Sequence, residues 1–131
     1  MKGLPLLLIT ALLLVLLVTS SCNHQEVKEE LKIDHSVKQL IFFTDNKKYK
    51  QEISYYDAII ELKRSYPELI KDMKVITAAE ASHISNYEVE NYPAMLLVYQ
   101  DKVLVEIKGT VSKDKIIYPL DKAMDKKIDN P

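Results

Sequence analysis

Few side chains in this sequence can do chemistry, and their positions limit what that chemistry is. The one cysteine, Cys22, directly follows an apolar run and the small residues Thr19, Ser20 and Ser21. A thiolate is a nucleophile, so a lone thiol at such a junction is placed to be alkylated. It has no partner for an internal disulfide. The three histidines, His24, His35 and His83, are scattered and lack metal-ligand spacing. No nucleophile elbow is present. With only two glycines, Gly3 and Gly109, no glycine-rich phosphate loop can form. Arg64 is the only arginine, and 18 basic residues balance 19 acidic ones to a net charge of −1. Nucleic-acid binding is therefore disfavoured, and no metal or cofactor is expected. The lysines 47, 48 and 50 read as a solvated surface, with anionic lipid or wall polymer as the alternative contact.

The amino terminus explains the cysteine. Lys2 gives a positive start and Leu4 to Val18 is almost unbroken in its apolarity. This is the pattern of a secretory signal, and it is short for a bilayer span. VTSSC resembles the lipobox of bacterial lipoproteins, with Thr19 where that family more often has leucine. The resemblance implies cleavage between Ser21 and Cys22 and a diacylglycerol on the sulfur. Fatty acyl chains of the palmitate type then hold the protein on the outer face of the membrane, each buried CH₂ adding about 0.8 kcal/mol. Residues 1–21 are read as the signal peptide and 22–36 as a lipidated tether. Residues 37–131 form one domain, about what this length supports.

Val37 to Thr44 (VKQLIFFT) reads as a buried strand. DNKKYKQE reads as a polar loop, and Ser54 as an N-cap with Asp57 three residues on. Tyr55, Ile59, Leu62 and Tyr66 recur at helical spacing with Ile60 beside them, giving one apolar face. Pro67 ends or resets that helix. Met73 to Thr77 is a second strand and Ala78 to Tyr87 an alanine-rich helix. Ala94 to Tyr99 and Val103 to Lys108 form a hairpin about QDK, where Gln100-Asp101 replaces the usual Asn-Gly. Ser112 caps a final helix, in which Pro119 predicts a kink or a break near Ile117. The order is β-α-β-α-β-β-α, best satisfied by an α/β four-stranded mixed sheet with helices on both faces.

Over Val37 to Lys126, and most closely from Val89, the chain resembles a thioredoxin-like domain. The matching parts are VENY, Pro93, AMLLVY, QD, KVLVEIK, Gly109 and TVSKDK, without a gap from proline to glycine. The resemblance implies a cis Tyr92–Pro93 peptide. It also implies a recognition loop at Tyr92, Pro93 and Ala94 that offers backbone hydrogen bonds to an extended segment. It places Tyr49 and Tyr87 around that loop. The family's C-x-x-C slot falls at Lys48, Tyr49, Lys50 and Gln51, which contain no cysteine. Thiol–disulfide exchange needs an attacking thiolate and a resolving thiol, so no oxidoreductase activity of the family type is expected, and the protein is read as a non-enzyme. The leading expectation is a membrane-anchored binding module in the cell envelope, recognising an envelope protein or extended peptide. Its lysine-rich, arginine-poor composition points to a Gram-positive cell. The alternatives are a redox partner using cysteine from elsewhere and a purely structural envelope or spore component.

Overall fold

The computed structural model describes residues 3–18, 27–84 and 86–126. Ser21 and Cys22 lie outside the described residues. The N-terminal apolar run is a helix, α1 (Leu4–Val18), with exposed side chains from Leu4 to Leu14. No helix among the described residues is long and apolar enough to cross a membrane.

The strands are β1 (Gln39–Thr44), β2 (Lys74–Thr77), β3 (Ala94–Tyr99) and β4 (Lys102–Lys108), in spatial order β2-β1-β3-β4. β1 pairs in parallel with β2, and β3 pairs antiparallel with both β1 and β4. The centres of β1 (LIFF) and β3 (AMLLV) are apolar and buried on both faces, as central strands must be. This is the thioredoxin-like arrangement that the resemblance implied. β4 is a mostly exposed edge strand with a bulge opposite Leu97/Val98.

One sheet face presents Leu40, Phe42, Met95, Leu97 and Ile107 to three helices: α2 (Tyr49–Ser65), α3 (Pro67–Lys71) and α5 (Lys113–Asp125). The other presents Ile41, Phe43, Ile76, Ala94, Leu96 and Val98. Among the described residues its one helix is α4 (Ala78–Ala81), so helices do not cover the two faces equally. Leu31, Ile33, Ile84, Tyr87, Val89 and Tyr92 complete that cover.

Residues 29–34, expected as tether, are therefore a strap against the sheet. The Glu29 amide donates to the His83 carbonyl at 2.7 Å and the Leu31 amide to Asn86 Oδ1 at 3.0 Å. The Asp34 amide donates to Gln39 Oε1 at 3.0 Å, where β1 begins. The strap thus descends from α4, at the C-terminal end of β2, to the start of β1. Leu31 and Ile33 alternate inward, which is the physical reason this polar segment stays docked.

Several boundaries differ from the sequence reading. β1 starts at Gln39, not Val37, and β2 at Lys74, not Met73; β4 starts at Lys102, not Val103. DNKKYKQE is not a loop. Asp45 accepts from the Lys47 amide at 3.0 Å and caps a 3-10 turn, Asn46–Lys48, that runs into α2. Ser54 is consequently interior to α2 rather than its cap, and Ile60 faces solvent rather than the core. Pro67 stands at the first position of α3, where its missing amide costs nothing. The helix expected to reach Tyr87 stops at Ala81. Thr77 and Glu80 form a capping box at its start, but Asn86 and Tyr87 are drawn into contacts with the strap and sheet instead. Ser112 precedes α5 without a side-chain capping bond. α5 runs through Pro119 unbroken because Ile116 and Leu120, on either side, are fully buried and hold the turn in place. Its far end is closed by Lys38, whose ammonium donates to the carbonyls of Ala123, Met124 and Lys126 at 2.7, 3.2 and 2.9 Å.

Candidate functional site at the Pro93 loop

Phe43 pairs with Ala94. That register sets the end of β1 beside the start of β3, so the Asp45–Gln51 segment and the Asn91–Pro93 segment meet at one end of the sheet. The Tyr92–Pro93 peptide is cis. Two buried side chains hold the surroundings. Tyr55, on α2, donates its hydroxyl to the Gly109 carbonyl at 2.6 Å and lies 3.4 Å from the Pro93 carbonyl. The Gly109 amide also donates to the Pro93 carbonyl, at 2.8 Å, from a glycine with φ of +71° that a side chain would strain. Burial pushes the Tyr55 hydroxyl pKa up to about 12.

Glu52 is the second support. It is 1% exposed, and a carboxylate so buried needs partners. Its Oε1 accepts from the Thr44 hydroxyl and the Asp45 amide, both at 2.7 Å, and its Oε2 from the Tyr56 hydroxyl at 2.9 Å. Burial raises the Tyr56 pKa first, and the bond to Glu52 adds to it. Phe42 stacks on Tyr55 and meets Tyr56 edge-on, with ring centroids 5.6 and 5.7 Å apart. Among the described residues no buried side-chain polar atom lacks a partner.

The expected site residues fall into two groups. Pro93 and Ala94 are buried, so they shape the loop without offering side-chain surface. Tyr92 is half-buried; burial raises its pKa, and the nearby Asp45 charge adds to the rise. Lys48 is half-buried and closes the 3-10 turn through its amide, which donates to the Asp45 carbonyl at 2.7 Å. Tyr49, Lys50 and Gln51 are exposed on the first turn of α2, and Tyr49 lies against Tyr56 at 6.5 Å. Tyr87 is buried in the second core instead of standing at the loop. Glu52, Tyr55 and Tyr56 were not anticipated as a unit. Their spacing, three and four residues along a helix, was visible, but it was obscured once Glu52 was assigned to a loop.

The surface so formed offers shape and aromatic area, with no thiol in residues 48–51. Among the described residues no three of histidine, cysteine, aspartate and glutamate converge to hold a metal. His83 lies in a turn after α4, not within a helix, and His35 pairs with Asp101 at 3.0 Å. Open hollows of about 610 and 640 Å³ lie beside Tyr118 and Pro119, between β4 and α5, and neither is lined by Tyr92, Pro93 or residues 48–51.

No protein-family model matches the chain. A Pal-related lipoprotein of Bacillus subtilis (strain 168) is 34% identical over 121 residues, spanning 88% of this chain and 94% of that protein. Among solved structures, a malarial protein superposes with a TM-score of 0.50 at 14% identity, over 68% of this chain and 99% of that one. Thioredoxin-2, a component of malaria parasite protein secretion machinery, gives 0.47 at 13% identity, over 72% and 89%. Chlamydomonas reinhardtii thioredoxin f2 gives 0.47 at 10% identity, over 77% and 88%. At these identities the likeness to the solved structures concerns the fold alone.

Proposed function

The chain belongs to the family of the Pal-related lipoprotein, and from that premise we propose that it is an anchored, redox-inactive binding module of the cell envelope. In this reading the leader is removed between Ser21 and Cys22, and Cys22 is acylated. The domain stands on the extracytoplasmic face of a Gram-positive membrane. Its partner is an envelope protein presenting an extended segment to Tyr92 and to the first turn of α2, through strand-like backbone hydrogen bonds.

One observation carries the reading. The Pro93 loop is tied to its surroundings by Tyr55 and neighbours a turn supported by Glu52, and Tyr49 and Tyr92 remain accessible beside it, yet residues 48–51 supply no thiol. A pre-shaped surface with rigid aromatic groups suits recognition, since such groups lose little entropy on binding.

The test is a crosslinking pull-down from membranes with the anchor intact, comparing wild type with Gln51→Ala and Tyr92→Ala. A specific partner lost in both variants is the expected result. Unchanged capture, or none, overturns the loop as the recognition surface and favours a structural component. Mass spectrometry of the mature protein tests the anchor separately. An unmodified Cys22 thiol overturns it and revives the redox-partner alternative.

A further inference from the structure

α2 is apolar on two sides. Tyr55, Ala58 and Leu62 face the sheet and are buried. On the opposite side Tyr49, Ile53, Tyr56 and Ile60 recur at helical spacing and are 64%, 49%, 40% and 61% exposed. No described segment of the chain covers this stripe. Lys47 and Lys48 precede it, and Lys50, Lys63 and Arg64 flank it. Four acids lie nearby: Asp45 and Asp57, Glu52, which is buried beneath Tyr56, and Glu61, whose carboxylate is engaged by Lys113 at 2.8 Å. An apolar stripe with basic flanks is the pattern of a helix that lies in a bilayer interface, and anionic headgroups supply the complementary charge.

The course of the chain brings the stripe to a bilayer. The strap begins beside α4, on the sheet face opposite α2 but at the same end of the sheet, where β1 and β2 finish and α2 starts. Glu29 is already docked there, and seven peptide steps separate it from Cys22. Fully extended, those steps reach about 25 Å at most. An acylated Cys22 therefore keeps this end of the domain within about 25 Å of the bilayer surface.

We propose that the N-terminal half of the outer face of α2, Lys47, Tyr49, Lys50, Ile53 and Tyr56, rests on the anionic bilayer that holds the lipid anchor. The inference rests on Cys22 acylation. It goes beyond the binding reading by giving the domain an orientation, in which Tyr49 and Lys50 face lipid while Tyr92, the Pro93 loop and Gln51 meet partners at the membrane surface. A wall polymer offers similar phosphate charge but no apolar layer for Tyr49 and Ile53.

The test uses the full lipidated protein, purified from membranes and reconstituted into phosphatidylglycerol-containing vesicles. Acylation leaves Cys22 unreactive, so the variants Ile53→Cys, Ile60→Cys and Tyr118→Cys each accept one environment-sensitive fluorophore. Tyr118, on α5, is the exposed control. The label at residue 53 is expected to blue-shift and to be quenched by headgroup nitroxide lipids more than that at 60, while 118 stays in water. Lys47→Gln and Lys50→Gln should each lower the bilayer-contacting population at residue 53 about fivefold, and phosphatidylcholine vesicles should abolish it. Equal, water-like signals at 53 and 118 in protein that still floats with the vesicles overturn the orientation. Protein that fails to float shows instead that the anchor reading is wrong.

Discussion

The hydroxyl of Tyr55 donates to the carbonyl of Gly109 at 2.6 Å, linking α2 to the residue that ends the β3–β4 hairpin. The same hydroxyl lies 3.4 Å from the Pro93 carbonyl, so one buried group ties both ends of that hairpin. Tyr55→Phe keeps the ring on Phe42 and removes only the bond. The expected cost is about 1–2 kcal/mol, read as a Tm lowered by roughly 4–8 °C per kcal/mol. The effect is pH-dependent. Burial raises the folded-state pKa from 10.0 to about 12, so the neutral phenol is favoured by folding. The resulting stability is complete below pH 10 and is lost as pH rises toward 12. Denaturant midpoints across that range should fall more steeply for wild type than for Tyr55→Phe.

Glu52 accepts three hydrogen bonds in a site closed to water, which predicts an asymmetry between two substitutions. In Glu52→Gln the amide oxygen can keep Thr44 and Asp45, and the Tyr56 hydroxyl can turn to accept from the amide nitrogen. The cost should be about 1 kcal/mol or less. Glu52→Ala leaves three donors facing a void and should cost about 2–4 kcal/mol. Urea unfolding separates the two, and equal costs would show that the volume, not the bonding, matters at this position.

How far the sequence revealed this site depends on what each residue contributes. LIFF and AMLLVY read as central strands because apolar side chains on both faces suffice to place them. The interval from Pro93 to Gly109 placed the hairpin correctly, since strand and turn chemistry are local. The start of α2 was hidden because its cap, Asp45, serves a 3-10 turn and the next residues are polar. Glu52 was hidden for another reason: its burial is made tolerable by Thr44, Asp45 and Tyr56, and composition cannot report such a network. Ile60 sits next to core positions yet points outward, because one step along a helix turns a side chain by about 100°. The alanine-rich α4 was overestimated because propensity yields to tertiary contacts, here those of Asn86 and Tyr87.

The hairpin turn carries correctable strain. Gln100 and Asp101 have φ of +47° and +63°, left-handed values that cost a side-chain-bearing residue about 1 kcal/mol each. Gln100→Asn with Asp101→Gly gives the turn its preferred residues. It forfeits the His35–Asp101 pair, but both of those side chains are largely exposed and such a pair contributes little. A net gain of about 1 kcal/mol is expected in thermal or urea unfolding. A loss would mean that His35–Asp101 pins the end of the strap more strongly than an exposed pair should.

The strap predicts the sharpest contrast with a free tether. If residues 29–34 were only a spacer, shortening the apolar side chains there would leave stability unchanged. Leu31 and Ile33 instead pack on the face formed by Ile41, Phe43, Ile76 and Leu96, which α4 alone leaves largely open. Leu31→Ala and Ile33→Ala should each cost about 1–2 kcal/mol, below the full core value because both are only partly buried. The effect should also be local. The Leu31 amide donates to Asn86 and the Glu29 amide to the His83 carbonyl. Loosening the strap should therefore raise amide exchange across residues 29–34 and 82–92 before it reaches β1 or β3. Hydrogen exchange read by mass spectrometry checks this directly; wild-type rates at 82–92 in both variants would return the segment to the status of a tether.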